Sequence, residues 1–275
     1  DFKMDLKKLS AKTIEAFSFG ELKRAEGNLT GDINITGATE SPKLNGAISF
    51  DNVAFNATQL GARYSLAGQK IQFNGQNINF NNFTVTDSLN QAMKINGNVN
   101  IAKLPDVGYN LTISAKNFNV LNSTQKQNEL FFGKANIDAN LTVKGQGAKS
   151  VIDGNVKVDP GSNITVVMPS DATEAGDATK GVIEFVDMSD STQVAKKDSL
   201  EAAQNVVVDF ASQISLDIDV DDKSEFKVVI DELNGDNIRL KGNAQLNTGI
   251  APNGQLFLLG SYDLTEGSYD LTLQI

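Results

Sequence analysis

Apolar and polar residues alternate with period two along most of this chain. Clear runs occupy 29–35, 47–55, 71–73, 78–85, 93–101, 109–115, 137–143, 156–158 and 164–168, and again 206–210, 214–220, 226–230, 238–246, 255–264 and 269–275. Strict alternation makes one apolar and one polar face, the signature of an antiparallel sheet with one side in water. Turns carrying Asn-Gly, Asp-Gly or Gly-Gln suit tight hairpins. The same grammar of alternating strand, Gly-containing turn and alternating strand returns at 27–57, 133–167 and 235–273. Repetition of this kind predicts stacked units and an extended surface rather than a catalytic pocket.

Two stretches depart from the pattern. Phe2, Met4 and Leu6 predict a first strand over 1–9, after which Ser10 can cap a helix over 11–24, where Ile14, Phe17 and Leu22 recur at helical spacing. That helix is expected over one end or edge of the sheet. Residues 169–180 hold no large apolar side chain and read as a loop; 181–187 is a short strand, and 188–204 a loop or marginal helix. One elongated unit over 1–275 follows: strand plus helix (1–26), a first strand array (27–168), a polar loop insertion (169–204) and a second array (205–275). A start on Asp1 that already alternates, and an end within alternating Leu271–Ile275, point to a piece of a longer protein.

Composition narrows the functions. The 275 residues include no Cys, His or Trp, and 40% are hydrophobic. Without Cys there are no disulfides or thiolate metal sites, and without His the commonest general base and transition-metal ligand are missing. The net charge of −10 argues against nucleic acid and against electrostatic docking on anionic membranes. No run approaches the roughly 18 apolar residues of a spanning helix.

The candidate motifs have plainer explanations. Asp217-Ile218-Asp219-Val220-Asp221-Asp222 hints at a calcium loop, but Asp222 and Val228 stand where Gly and Glu are needed, so a strand with Asp217 and Asp219 outward explains it better. Gly145-Gln146-Gly147-Ala148-Lys149-Ser150 lacks the second Gly of a phosphate loop and reads as a hairpin turn. Asn28, Asn56, Asn82, Asn110, Asn140 and Asn163 each precede Thr by two, which an outward Asn/Thr strand face also produces. Asp87-Ser88-Leu89 and Asp198-Ser199-Leu200 match a three-residue O-glycosylation signal of some Bacteroidetes periplasmic proteins. No nucleophile elbow, metal cluster or dinucleotide fingerprint is present, and the chain is expected to be no enzyme and to need no cofactor.

Chemistry is therefore expected on the apolar face, which a second sheet, helices, closure or a ligand must cover. From pattern alone a filled core and an open groove both stand.

The order of motifs resembles the C-terminal region of the TamB family, in the AsmA superfamily. It is carried by 6–9, TIEAFSFGELKR at 13–24, GNLTGDINITGATESPKLNG at 27–46, Phe50–Val53, Leu60–Tyr64, Val166–Pro169 before the polar loop, Gly181–Val186, and the late pair Gly260-Ser261-Tyr262-Asp263-Leu264 and Gly267-Ser268-Tyr269-Asp270-Leu271. Asn-rich strands and short Lys-containing turns resemble Bacteroidetes members. The resemblance implies an all-β, half-open taco with a hydrophobic lumen, in a periplasmic protein held by an inner-membrane anchor outside this chain. It implies phospholipid transport toward the outer membrane, support of outer-membrane protein assembly, and an Omp85-type barrel partner, TamA-like, near the C-terminal end.

In such a lumen the alternating apolar sets are the expected lining: Ile33, Ile35, Ile48, Phe50, Phe73, Phe80, Ile95, Val99, Leu111, Ile113, Leu141, Val143, Leu216, Ile218, Val228, Ile230, Leu240, Leu258 and Leu264. Leu111→Asp or Leu141→Asp is expected to block lipid passage with the fold kept. A one-residue slip at a bulge would swap the faces. A structural or adhesive cell-surface β-solenoid with a filled core is the alternative. A polysaccharide-active enzyme is a third reading, disfavoured by the absence of Trp and the presence of only four Tyr.

Overall fold

The computed structural model describes residues 1–38, 41–168, 212–232, 234–250 and 256–271. The polar insertion at 169–204 and the strands expected at 181–187 and 206–210 fall outside them. The described chain is all-β with one short helix: β1 (Phe2–Ser10), α1 (Ala11–Ala16), β2 (Leu22–Ala38), β3 (Ser41–Ala57), β4 (Arg63–Ser65), β5 (Gln69–Gly75), β6 (Asn77–Asp87), β7 (Ala92–Asn100), β8 (Gly108–Ser123), β9 (Phe131–Gln146), β10 (Lys149–Val158), β11 (Asn163–Val167), β12 (Ser212–Val220), β13 (Glu225–Asp231), β14 (Asp236–Ile250) and β15 (Leu256–Asp270). They form a single sheet of 15 strands.

The helix is shorter than its sequence period predicts. Ser10 caps it, its Oγ accepting from Lys12 N at 3.3 Å. The helix stops at Ala16 because Phe19 and Gly20 take positive φ (51° and 91°), and Leu22 and Lys23 then pair with Ala57 and Asn56 of β3. Strand pairing wins over the helical spacing of Leu22. Ala11 packs with Ala25, Leu29 and Val53, placing α1 at the β1/β2 end of the sheet.

A crease crosses the sheet. Register shifts fall between Leu6 and Leu9 in β1, Lys23 and Asn28 in β2, Phe80 and Phe83 in β6, and Ala115 and Phe118 in β8. Along the same line β4 gives way to β5, β10 to β11 and β12 to β13. Extra residues in one strand bend it and sharpen its twist. Asn52, Asn82 and Asn117 hold the bulges at φ of 52°, 50° and 47°, a region Asn enters at low cost. Neighbouring side chains satisfy the freed amides: Asn82 N donates to Asn96 Oδ1 and Asn117 N to Asp138 Oδ1, each at 2.7 Å.

Two features correct the expectation of a simple antiparallel array. β10 pairs with β12, and β11 with β13, in parallel. Parallel neighbours need a connection of a dozen residues or more, and the interval between Val167 and Ser212 supplies it. Pairing also closes a circuit of six strands, β9–β10–β12–β14–β13–β11, to which the other strands are attached. β9 bonds β10 along Ile137–Gln146 and β11 along Phe131–Lys134, and β14 divides its edge between β12 and β13 in the same way. The circuit surrounds the breaks at 159–162 and 221–224. These are stitched by Ser224 Oγ to Asp159 O (3.1 Å) and Glu225 N to Ser162 O (2.9 Å).

Candidate functional site

Because directly paired residues point to the same face, the registers place the predicted lining residues in rungs. Phe80, Gly97, Leu111, Val143, Ile152, Ile214 and Ile250 form one rung from β6 to β14. The next holds Phe83, Ile95, Ile113, Leu141, Gly154, Leu216, Thr248 and Leu258. Ile218 pairs with Val156 and Leu246 one rung further. Toward the N-terminus, Ile33, Gly46, Phe73, Ile78 and Val99 share a rung; Ile35 faces Leu44, Ile48 faces Gly31 and Ile71, and Phe50 faces Leu29 and Gln69. On the other side of the crease Val228 faces Val166 and Ile238, and Leu240 faces Phe226. Ile230 falls at a register shift, and Leu264, opposite Gly242, is exposed on the last strand together with Leu258.

These rungs are covered to different degrees. Around β4, β6 and β8 the face is filled. Ala62, Tyr64, Phe83, Val85 and Phe118 form a buried cluster on which Phe50, Phe80 and Ile95 pack. Tyr64 stacks on Phe118 with centroids 5.5 Å apart and planes 7° from parallel, while Phe50 and Phe80 meet Phe83 edge-on. Tyr64 Oη donates to Val120 O at 3.1 Å. Burial, and then the charge of Asp87, push the Tyr64 phenol up to about 12.

The β3–β4 hairpin makes this closure. β7 pairs with β8 only as far as Met93–Ala115, which leaves the Phe118–Ser123 edge of β8 without a strand on that side. Asp87 and Leu60 occupy it: Asn119 N donates to Asp87 Oδ2 and Asn122 N to Leu60 O, each at 2.8 Å. Gly61 permits the approach, with φ of 63° and an added Cβ that would lie 2.4 Å from Asn122 O.

Beyond this strap the face opens into a hollow of about 620 Å³. Its walls are Leu60 of the strap, Val120 and Leu121 of β8, Leu130 just before β9, Phe131, Ala135 and Ile137 of β9, Val156 of β10, and Ile164, Val166 and Val167 of β11. Every one of these side chains is apolar. A surface without hydrogen-bonding groups can hold a hydrocarbon and cannot orient a polar reactant.

None of the nineteen predicted residues lines this hollow. Ile137, Val156, Ile164, Val166 and Val167 lie within the alternating runs at 137–143, 156–158 and 164–168 but outside the expected lining set. Val120 and Leu121 are adjacent at the β8 bulge and Leu130 and Phe131 open the apolar run Leu130-Phe131-Phe132, whereas Leu60 and Ala135 have no apolar neighbour in sequence. Consecutive apolar residues in a period-two chain are a signal for part of the wall, at 120–121, 130–131 and 166–167.

A matching family model, the TamB C-terminal domain, covers residues 81–275, about seven-tenths of the chain. The chain belongs to the TamB C-terminal domain family. The TamB match takes in most of β6 and everything from β7 to β15, hence most of the hollow; Leu60, Tyr64 and the helix lie before it. TamB domains are associated with outer-membrane assembly and lipid transport in the Gram-negative envelope. No curated protein and no solved structure matches the chain.

The Asp217–Asp222 and Gly145–Ser150 motifs fall where the plainer readings put them, and Asp198–Leu200 lies outside the described residues. Asp217 and Asp219 lie exposed on β12, and Gly147 turns the β9–β10 hairpin at φ 58°. At the crease Asp159 is 9% exposed, and its Oδ2 has no hydrogen-bond partner. Burial, followed by the nearby Asp138 carboxylate, raises its pKa. Among the described residues no group of three or more acidic side chains is arranged to hold a metal ion.

Proposed function

We propose that this chain is a segment of a periplasmic lipid conduit. It would carry phospholipid toward the outer membrane and support outer-membrane protein assembly, with an Omp85-type barrel as its partner and an inner-membrane anchor elsewhere in the protein. The half-open groove of the conduit would be the apolar rungs together with the hollow, and no catalytic group is required. The observation that carries this reading is the hollow's wholly apolar wall in a TamB-family domain. Each buried methylene contributes about 0.8 kcal/mol, so ten of them supply roughly 8 kcal/mol against the cost of ordering the chain. Head groups stay in water, and binding needs no specific polar contact.

The packed cluster around Phe118 favours a second reading, a structural β-scaffold whose face is filled throughout. Native mass spectrometry with lipid extraction separates the two. The conduit reading predicts co-purifying phospholipid that is lost in a folded Ile164→Asp variant. A stable, lipid-free protein supports the scaffold.

A further inference from the structure

We propose that Ser88, at the tip of the β6–β7 hairpin, is a site of O-linked glycosylation, with an oligosaccharide on a polyprenyl diphosphate as the donor. The inference shares the periplasmic placement of the conduit reading and is otherwise independent of it. Ser88 is the hydroxyl of Asp87-Ser88-Leu89, the match to an O-glycosylation signal that lies among the described residues. A three-residue match recurs by chance, and the structure separates an accessible match from a hidden one. β6 ends at Asp87 and β7 begins at Ala92, so Ser88 lies outside both strands. Its side chain is exposed, and its Oγ makes no hydrogen bond among the described residues. The neighbouring hydroxyls of Thr84 and Thr86 are half-buried within β6, and Thr84 Oγ1 already donates to Asn82 O at 2.9 Å.

Asp87 fixes how this tip is shown. Its carboxylate is buried, with Oδ1 accepting from Leu89 N and Gln91 N and Oδ2 from Asn119 N, each at 2.8 Å. Backbone bonds from Asp87 N to Gln91 O (3.0 Å) and from Asn90 N to Asp87 O (3.1 Å) close the loop. Asn90 takes φ of 61°, a conformation that Asn enters at low cost. A transferase therefore meets Ser88 and Leu89 as a preset pair, a hydroxyl beside an apolar side chain that is 54% exposed. Turn chemistry accounts for Asp87 and Asn90 but leaves the Ser88 hydroxyl unused and Leu89 in water. An attached sugar is bulky and solvated, and at this tip it displaces no buried contact. In the transfer, Ser88 Oγ bonds to the anomeric carbon as that carbon's bond to the diphosphate oxygen breaks. The hydroxyl proton passes to a base of the transferase, and the polyprenyl diphosphate leaves with the electron pair. None of the hollow's wall residues lies on this loop, so the apolar face stays free.

The test is peptide mapping of the full-length protein recovered from the periplasm of a Bacteroidetes cell. Cleavage after Lys70 and Lys94 releases residues 71–94, whose only hydroxyls are those of Thr84, Thr86 and Ser88. That peptide is expected to gain the mass of whole sugar residues, with electron-transfer fragments placing them on Ser88. Ser88→Ala, which removes no hydrogen bond, should fold and leave the peptide bare, whereas Ser88→Thr should keep the sugar. A bare natural peptide from cells that modify other proteins at the same signal overturns the site, as does a sugar on Thr84 or Thr86 alone. Lipid occupancy is measured on the same material. A glycosylated chain free of lipid removes the conduit reading and leaves Ser88 standing, and a bare chain with bound lipid does the reverse.

Discussion

Gly61→Ala tests the closure at the strap, and Gly68→Ala is its internal control. Both glycines have positive φ, 63° and 73°, so both substitutions incur the left-handed backbone cost of about 1 kcal/mol. At Gly68 nothing lies within 4 Å of the added Cβ, and the cost ends there. At Gly61 the Cβ would lie 2.4 Å from Asn122 O and 2.5 Å from Ser123 Cα, all backbone, so strap and strand must separate. Losing the bond from Asn122 N to Leu60 O removes roughly another 1 kcal/mol, and displaced packing adds about 1 kcal/mol or more. Gly61→Ala should therefore cost about 3 kcal/mol. At roughly 2–3 °C per kcal/mol for a chain of this size, thermal unfolding followed by circular dichroism should show a fall of about 6–9 °C, against about 2–3 °C for Gly68→Ala. Equal shifts would refute the argument that the strap is pressed against β8. The freed Leu60 should also speed exchange of bound lipid, readable as a faster off-rate.

Phe118→Ala should cost about 3–5 kcal/mol in urea unfolding, because Phe118 is 1% exposed and its loss leaves a cavity beneath Tyr64. Tyr64→Phe removes the bond to Val120 O and should cost about 1 kcal/mol at neutral pH. The folded chain holds the Tyr64 proton more tightly than the unfolded chain, so the natural protein should lose stability relative to Tyr64→Phe as pH rises from 10 to about 12, as alkaline melting curves would show. Asp159 is likewise raised, so the fold binds its proton more tightly and loses stability as pH rises above the ordinary carboxylate value of 3.8. Asp159→Asn should melt higher than the natural chain at pH 7, and the gain should vanish below that value. Leu111→Asp and Leu141→Asp place a charge on neighbouring rungs of the apolar face, outside the hollow, and should block lipid transfer between labelled vesicles while the folded protein still shows lipid in native mass spectra.

Strand identity and face were legible in the sequence because a period of two is a local property. The register keeps Leu111 with Val143 and Leu141 with Ile113, as alternation alone requires. The helix was overextended because Leu22 fits a helical spacing as well as the start of β2, and only pairing with Ala57 decides between them. The parallel pairs and the six-strand circuit depend on contacts between residues more than sixty positions apart, which no local pattern encodes. The hollow was missed for a related reason. Its wall combines a turn residue, Leu60, with bulge neighbours such as Val120 and Leu121, where alternation breaks. The strap depends on Gly61, which in the sequence looks like any other turn glycine.

In the proposed conduit, lipid tails lie against the inner face beside β11. A photoreactive amino acid at Ile164, compared with one at exposed Asn155 on the outer face of β10, tests it most directly. In cells of a Gram-negative bacterium making the full-length protein with phosphate-labelled lipids, a labelled adduct is expected at position 164 and none at 155. Equal labelling at the two positions, or none at 164 in folded protein, would contradict it.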